Sequence, residues 1–388
     1  MDAARYLARP ISSLRPIRVV QFTYGDTLYG AERWVLTLSR HLDPSRVHTT
    51  IACLRDDGSG ELALIEAARQ LGFDTVVIDA RNRLLSSAVN GLRHAIRSQG
   101  IDLVHTHGVR QDVVGLLATR GLGVRLLSTP HGWEARCSLK ERVRTLVNKL
   151  AFTGFDAVAP LSPELRDSLR WLPVPGSRLH LIENGVDLDE IEAAKAVSGL
   201  LPGQRTPSDF VLGYIGRLVA GKGIEVLFEA LAGLPDDGWC CLVIGEGPER
   251  ARLEDVAIRL GVASRVSFLG YRPDRLSYLK RFDLFVLPSF REGTPRCLME
   301  ALAASVPCAG SAIAGIETIL HDGVTGDTFP VGDSLQLTGI INRVRHDSAR
   351  ARALAFSGQA LIRDRFSAGV MARRYEALYA SICEVRAA

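Results

Sequence analysis

The strongest constraint on this chain is an alternation, kept up over most of its length, between short unbroken apolar runs and stretches of helical periodicity. The runs at 17–22, 47–54, 75–78, 103–105, 126–129, 157–160 and 179–182 predict strands, and segments at 32–42, 61–71, 84–98 and 113–120 predict helices between them. Strands apolar on both faces belong to parallel sheets, because crossover helices cover both sides. A polar stretch at 187–209, closing with PGQRTPSD, predicts an interdomain linker. Beyond it the alternation restarts, with strands expected at 210–215, 239–244, 266–269 and 284–287 and helices at 223–231, 250–260 and 298–304. The remainder, 333–385, reads as helical without strand signals. The expectation is an α/β protein of two Rossmann-like, doubly wound domains, 1–190 and 205–365, facing a cleft.

Composition removes several function classes. With 47 Lys and Arg against 43 Asp and Glu the formal charge is only +4, without the clustered cations of a nucleic-acid binder. No apolar stretch reaches the roughly 18 residues of a membrane span. The N-terminal MDAARYLARPISSLRPIR is basic but lacks the apolar region and cleavage site of a signal peptide. The seven cysteines are odd in number and form no C-x-x-C pair, so neither a disulfide framework nor a structural metal site is expected. Cys240 and Cys241 lie in an apolar run and read as buried thiols. A cytoplasmic location fits this pattern.

In doubly wound sheets ligands bind beyond the carboxyl ends of the strands, so the loops there carry the search for function. Gly213-Tyr-Ile-Gly216 and Gly245-Glu-Gly247-Pro-Glu-Arg250 each lack the third glycine of a dinucleotide fingerprint, and no Walker pattern surrounds Gly221-Lys222-Gly223. Gly216-Arg217-Leu218-Val219-Ala220-Gly221-Lys222-Gly223 instead closes a predicted strand and opens a helix. Arg217, Lys222 and the positive end of that helix make a site for a diphosphate; a bland alternative is a pair of solvated cations. After the strand at 284–287 comes PSFREGTPRCLMEAL, with Glu292 on the loop and Glu300 inside the helix. Carboxylates accept hydrogen bonds from sugar hydroxyls, whereas a lone Glu here would be an ordinary helix N-terminal charge.

These segments, in order, resemble the family 4 retaining glycosyltransferases of the GT-B fold: GRLVAGKG, GEGPER, FLG, DLFVLPS and the Glu292-x7-Glu300 pair. Gly30-Ala-Glu32-Arg33, Val104-His-Thr-His107-Gly, Thr129-Pro-His131-Gly132 and Ile182-Glu-Asn-Gly-Val-Asp187 extend the likeness through the first half. The resemblance implies that Arg217 and Lys222 neutralise the β-phosphate of a nucleotide-diphospho-sugar. It implies that Glu300 holds the ribose hydroxyls and Glu292 the donor sugar, with Gly216, Gly293 and Thr294 beside the donor. His131 would face the donor sugar near the reacting carbon, and Gly30 would lie against the diphosphate. The base would be met by backbone near 270–272, and the last helix, 366–388, would pack back on the first domain. The family implies a glycan or lipid-linked sugar as acceptor, in surface polysaccharide or glycoconjugate synthesis, with retention of configuration. Tyr29 stands where the family usually has glycine, Thr294 and Pro295 replace an aromatic residue and a glycine, and Ala314 stands where a second glycine is common. Pro295 removes a backbone donor from the loop.

Departure of a nucleoside diphosphate places negative charge on the β-phosphate as the sugar becomes oxocarbenium-like, and cations aimed there act selectively on the transition state. Two protein cations aimed at the β-phosphate can stand in for a divalent ion, so no metal and no cofactor are expected. Two other readings remain: a sugar-nucleotide epimerase of GT-B-like fold, and a catalytically silent sugar-nucleotide-binding protein. His105 and His107 flank a threonine at a strand end and are expected either to contact the acceptor or to satisfy local hydrogen bonds. In 136–150, Leu139, Val143, Leu146, Val147 and Leu150 recur at helical spacing among Arg136, Lys140, Arg142, Arg144 and Lys149. That pattern is either a helix packed on its sheet with a solvated basic face, or a surface for anionic lipid on the inner face of a membrane.

Overall fold

The computed structural model describes residues 15–25, 30–56, 62–80, 85–131, 139–235 and 238–384, with the backbone alone at 139–144. Tyr29, Gly132, Arg136, Cys137 and the N-terminal tail 1–14 lie outside the described residues, as do the side chains of Leu139, Lys140, Arg142, Val143 and Arg144. The chain forms two compact units, Met1–Glu183 with Ala368–Ala388, and Asn184–Ser367.

The first unit runs β1 (Ile17–Thr23), α1 (Gly30–His41), β2 (Val47–Asp56), α2 (Ala63–Gln70), β3 (Asp74–Ala80), α3 (Leu85–Gln99), β4 (Leu103–Thr106), α4 (Val109–Thr119), β5 (Arg125–Ser128), α5 (Leu139–Ala151), β6 (Ala157–Val158) and α6 (Pro163–Asp167). Its six strands are ordered β3-β2-β1-β4-β5-β6, all parallel. Alternate residues of β1 enter different cores: Val19 joins Trp34, Val35 and Leu38 of α1 on one face, while Val20 and Phe22 join Leu92, Val114 and Phe152 on the other. This is why the strands read as unbroken apolar runs.

The second unit runs α7 (Leu188–Ala193), β7 (Phe210–Ile215), α8 (Ile224–Ala232), β8 (Trp239–Ile244), α9 (Arg250–Arg259), β9 (Val266–Gly270), α10 (Arg275–Leu279), β10 (Leu284–Leu287), α11 (Arg296–Ala303), β11 (Cys308–Ser311), α12 (Ala314–Glu317), β12 (Asp327–Phe329), α13 (Ser334–His346) and α14 (Ser348–Arg365). Its strand order, β12-β11-β10-β7-β8-β9, repeats that of the first unit. The final helix, α15 (Ala368–Glu384), belongs to the first unit, where Tyr375, Leu378 and Tyr379 are buried in its core. Glu376, also buried, accepts hydrogen bonds from Asp43 N (2.8 Å) and Arg46 Nη1 (3.0 Å), tying α15 to the turn after α1.

Three expectations are corrected. The stretch 187–209 is no free linker: it forms α7, buries Ile191 and Leu201 in the second core, and Asp209 Oδ2 accepts from Arg205 N (2.6 Å) and Thr206 N (3.2 Å). Residues 179–182 form no strand but a single bridge, Val158 to Leu179. His180 N donates to Val158 O (2.9 Å) and Ile182 N to Pro160 O (3.2 Å), but Pro160 carries no N–H to return a bond, so the pairing does not extend into a strand. Strands β11 and β12 escape the apolar-run criterion because Cys308-Ala-Gly-Ser311 and Asp327-Thr-Phe329 are small or polar, although β11 is wholly buried.

Candidate active site

In each sheet the strand order reverses between the first and fourth strands, which opens a crevice at their carboxyl ends. In the second unit the loops leaving β7 and β10 flank that point, and they are the two segments singled out from the sequence. Gly223, at φ 62°, opens α8 without a side-chain cap, and a Cβ there would lie 2.1 Å from Pro288 O. Glycine therefore lets the β7 loop approach the β10 loop closely. Phe290 N donates to Gly221 O (2.9 Å), and Lys222 Nζ donates to Glu292 Oε1 (2.6 Å), which also accepts from Ser289 Oγ (2.7 Å). The backbone of Arg217 is anchored by Tyr214 Oη donating to its carbonyl (3.2 Å), and Leu218 N donates to Glu246 O (2.8 Å), while the Arg217 side chain is exposed. Gly216 leads into this loop, and Gly293 is exposed beside half-buried Thr294.

Glu300, one turn into α11, is 3% exposed. Arg275 of α10 forks it through Nε to Oε2 (3.1 Å) and Nη2 to Oε1 (2.6 Å), and Arg296 Nε adds a bond to Oε1 (3.0 Å). Burial works to raise the carboxyl's pKa, but the charges and hydrogen bonds of Arg275 and Arg296 outweigh it and hold Glu300 below the usual range. Neither arginine was singled out from the sequence. Arg296 stands four residues before Glu300, a readable helical pairing, whereas Arg275 carries no local signal. Burial pushes the Cys297 thiol up to about 12, so this group between the glutamates is no nucleophile at neutral pH.

The other residues singled out lie in the first unit. Gly30 begins α1, and a Cβ on it would meet no protein atom within 4 Å. His131, following β5, is half-buried, stands edge-on to Trp34 (5.1 Å between centroids) and lies 3.3 Å from His107 Nδ1 through Nε2. His107 Nε2 faces Gln21 Oε1 at 2.8 Å. With neutral rings, His107 donates to Gln21, so its Nδ1 accepts from His131 Nε2–H and leaves His131 Nδ1 unprotonated. Burial lowers the His131 pKa to about 4 and that of His107 well below the ordinary value. The expectation of an acceptor contact is corrected for His105: fully buried, it uses Nδ1 on Tyr379 Oη (2.9 Å) and Nε2 on Thr129 Oγ1 (2.8 Å). His107 is likewise enclosed, at 2% exposure. Both rings are held by local hydrogen bonds at the carboxyl end of β4, beside His131.

Among the described side chains of α5, those of 145–151, the apolar residues of the pattern face out. Leu146, Val147 and Leu150 are exposed, while polar Asn148 is buried and donates through Nδ2 to Asp112 Oδ2 (2.7 Å). Asp112 Oδ1 also accepts from Thr106 Oγ1 and from Ser128 Oγ (2.8 Å) at the ends of β4 and β5. The demand of this buried carboxylate for donors decides which face of α5 points inward. Lys149 Nζ reaches the carbonyl of Ser168 (3.1 Å), three residues before Trp171, which is 93% exposed.

Two family descriptions match: "Glycosyltransferase Family 4" over residues 29–190 and "Glycosyl transferases group 1" over 203–360. The chain belongs to the family 4 glycosyltransferases. Among family members, the Bacillus subtilis (strain 168) protein EpsF, which carries the name of a glycosyltransferase, is 29% identical over 315 residues, 75% of this chain and 78% of that one. The Escherichia coli UDP-Gal:alpha-D-GlcNAc-diphosphoundecaprenol alpha-1,3-galactosyltransferase is 26% identical, over 65% of this chain and 68% of its own. Anabaena Alr3699/HepE, solved with UDP and with UDP-glucose, shares the fold: the UDP complex superposes with a TM-score of 0.76 at 20% identity, covering 92% of this chain and 98% of that one. The two six-stranded parallel sheets are thus the Rossmann-like halves of a GT-B glycosyltransferase. Among the described residues, no helix is long and apolar enough to cross a membrane.

Proposed function

We propose that the protein transfers a sugar from a nucleotide-diphospho-sugar to a hydroxyl of a glycan or lipid-linked sugar, with retention and without metal. The observation that carries this reading is the Lys222–Glu292 bridge at 2.6 Å, which joins the two loops at the switch point of the second sheet. Lys222, Arg217 and the uncapped N-terminus of α8 offer positive charge to a departing diphosphate. Lys222 also holds Glu292 where that carboxylate can accept hydroxyls of the donor sugar, with Gly293 and Thr294 alongside. Glu300 takes the ribose, His131 faces the reacting sugar as a neutral ring, and Gly30 leaves room for the diphosphate. In a retaining displacement of this kind the leaving phosphate oxygen accepts the acceptor's proton on the same face as the forming bond, and no protein nucleophile is required. The complexes of HepE with UDP and UDP-glucose make uracil the first base to try. The activity for which the E. coli relative is named supports a lipid-diphosphate-linked acceptor.

A thermal-shift panel of UDP-, GDP-, ADP- and dTDP-sugars tests the donor, because ligand binding raises apparent stability by RT ln(1 + [L]/Kd). Stabilisation by one nucleotide family, lost in Arg217→Ala and Glu300→Ala, is the expected result; no shift with any of them removes the reading. Turnover that survives exhaustive chelation is expected, and restoration of a lost activity by Mg²⁺ or Mn²⁺ overturns metal independence. Interconversion of donor sugars without acceptor points to the epimerase.

The same reading places the protein at an anionic membrane surface through α5. Exposed Leu146, Val147 and Leu150 supply the apolar part of such an interfacial contact, and the sequence of 136–150 carries the cations it needs. Flotation with anionic but not neutral vesicles is expected; equal recovery with both defeats the membrane contact.

A further inference from the structure

Glu300 sits in an alternating ring of charge. Arg275 and Arg296 bond it directly, and Glu190 of α7 lies 4.0 Å from each arginine, Oε1 to Arg275 Nη1 and Oε2 to Arg296 Nη2. Two arginines and two glutamates leave this buried group near neutrality, which is how a carboxylate only 3% exposed stays ionised.

The ring also limits what Glu300 can accept. A carboxylate offers about four acceptor positions, two on each oxygen. Oε1 receives Arg275 Nη2 and Arg296 Nε, so both its positions are filled. Oε2 receives Arg275 Nε alone, which leaves it one position. A carboxylate with both oxygens open can grip two vicinal hydroxyls; held in this way, it can take one.

Resting on the nucleotide-sugar reading above, we propose that Arg275 is a positioning and specificity residue that makes Glu300 recognise a single ribose hydroxyl, through Oε2, rather than the 2′,3′-diol as a pair. Arg275 acts through Glu300: its fork fixes the plane of the carboxylate and the direction of the remaining lone pair. Because it comes from α10, 25 residues before Glu300, the restriction is a property of tertiary packing and not of the Glu292-x7-Glu300 spacing.

The test compares UDP, 2′-deoxy-UDP and 3′-deoxy-UDP by titration calorimetry on the full chain. A hydroxyl donating to a charged acceptor is worth about ten- to a hundredfold in affinity. One deoxy analogue is therefore expected to bind about ten- to a hundredfold more weakly than UDP, and the other within about threefold of it. Comparable losses for both analogues overturn the proposal, since they mean that the diol is held as a pair. In Arg275→Gln, and in the milder Arg275→Lys if the first variant does not fold, the gap between the two analogues is expected to close. A purely structural role for Arg275 instead weakens all three ligands by one factor and preserves the gap, which also overturns the proposal. The wild-type comparison needs no variant. Should UDP, ADP and GDP all fail to bind the wild type, the nucleotide reading fails first, and that outcome is distinct from a bound nucleotide whose two hydroxyls count equally.

Discussion

Replacing Asp112 by asparagine should stabilise the first unit, and the gain should depend on pH in a way that identifies its cause. Asp112 is 1% exposed, and its three hydrogen-bond donors, Thr106, Ser128 and Asn148, are all neutral. Burial pushes its carboxyl from 3.8 up to about 6, against the opposing pull of those hydrogen bonds. The folded chain therefore binds this proton more tightly than the unfolded chain. Below about pH 3 the group is neutral in both states and costs nothing; between 3.8 and about 6 only the unfolded chain gives up the proton, so the cost grows, and above 6 the folded protein carries a buried charge. A carboxyl held about two pH units above its unfolded value costs about 3 kcal/mol once ionised. Asparagine removes that charge. Its oxygen keeps the Thr106 and Ser128 bonds, and Asn148 turns its amide over to accept from the new NH2, a rearrangement whose cost does not vary with pH. Native-state hydrogen exchange at the amides of β4 and β5 reads the first unit by itself. The stability difference, Asp112→Asn minus wild type, should grow by about 3 kcal/mol between pH 3 and pH 7, roughly a hundredfold in protection. A difference that stays flat over that range, or that falls as pH rises, refutes the reasoning.

Three other substitutions probe the two units. Lys222→Met removes a cation from the diphosphate site and should lower kcat/KM by about 100–1,000-fold, and a loss under tenfold in a donor-saturation assay contradicts its role. Gly315→Ala places a Cβ 2.0 Å from Gly293 O and 2.1 Å from Glu292 O, so the loop carrying Glu292 must move. The donor KM should rise about tenfold while the circular dichroism spectrum is kept, and an unchanged KM means that the loop's position does not govern donor binding. Tyr379→Phe deletes the hydroxyl bonded to Gln21 Nε2 (3.1 Å) and His105 Nδ1 (2.9 Å), leaving two buried polar groups without that partner. About 2 kcal/mol of stability should be lost in urea denaturation, and a loss below about 0.5 kcal/mol shows that those groups find other partners.

Much of the fold was legible because burial on both faces leaves a local trace. Every strand of the first sheet, and β7 to β10 of the second, appears as an apolar run, since crossover helices cover both sides. β11 and β12 leave no such trace, because small residues pack β11 beneath α12 and a three-residue edge strand has too few positions to show a pattern. The loops around Arg217, Lys222, Glu292 and Glu300 were legible for a different reason. They follow strands directly, and their residue types announce charge where chain geometry makes a crevice.

What the sequence determined by itself is therefore the alternation, the position of the two charged loops and the family likeness. Each is written in neighbouring residues. Tertiary structure alone decided the partners: Lys222 on Glu292, 70 residues apart; Arg275 on Glu300; Tyr379 on His105, 274 residues apart; and Asn148 on Asp112, 36 residues apart. It turned His105 from a candidate ligand contact into a core residue. It also turned α5 so that the apolar residues Leu146, Val147 and Leu150 face out. The physical reason is that a buried polar group must find a partner wherever the fold brings one, and that requirement can override the local pattern by which a helix would otherwise choose its inward face.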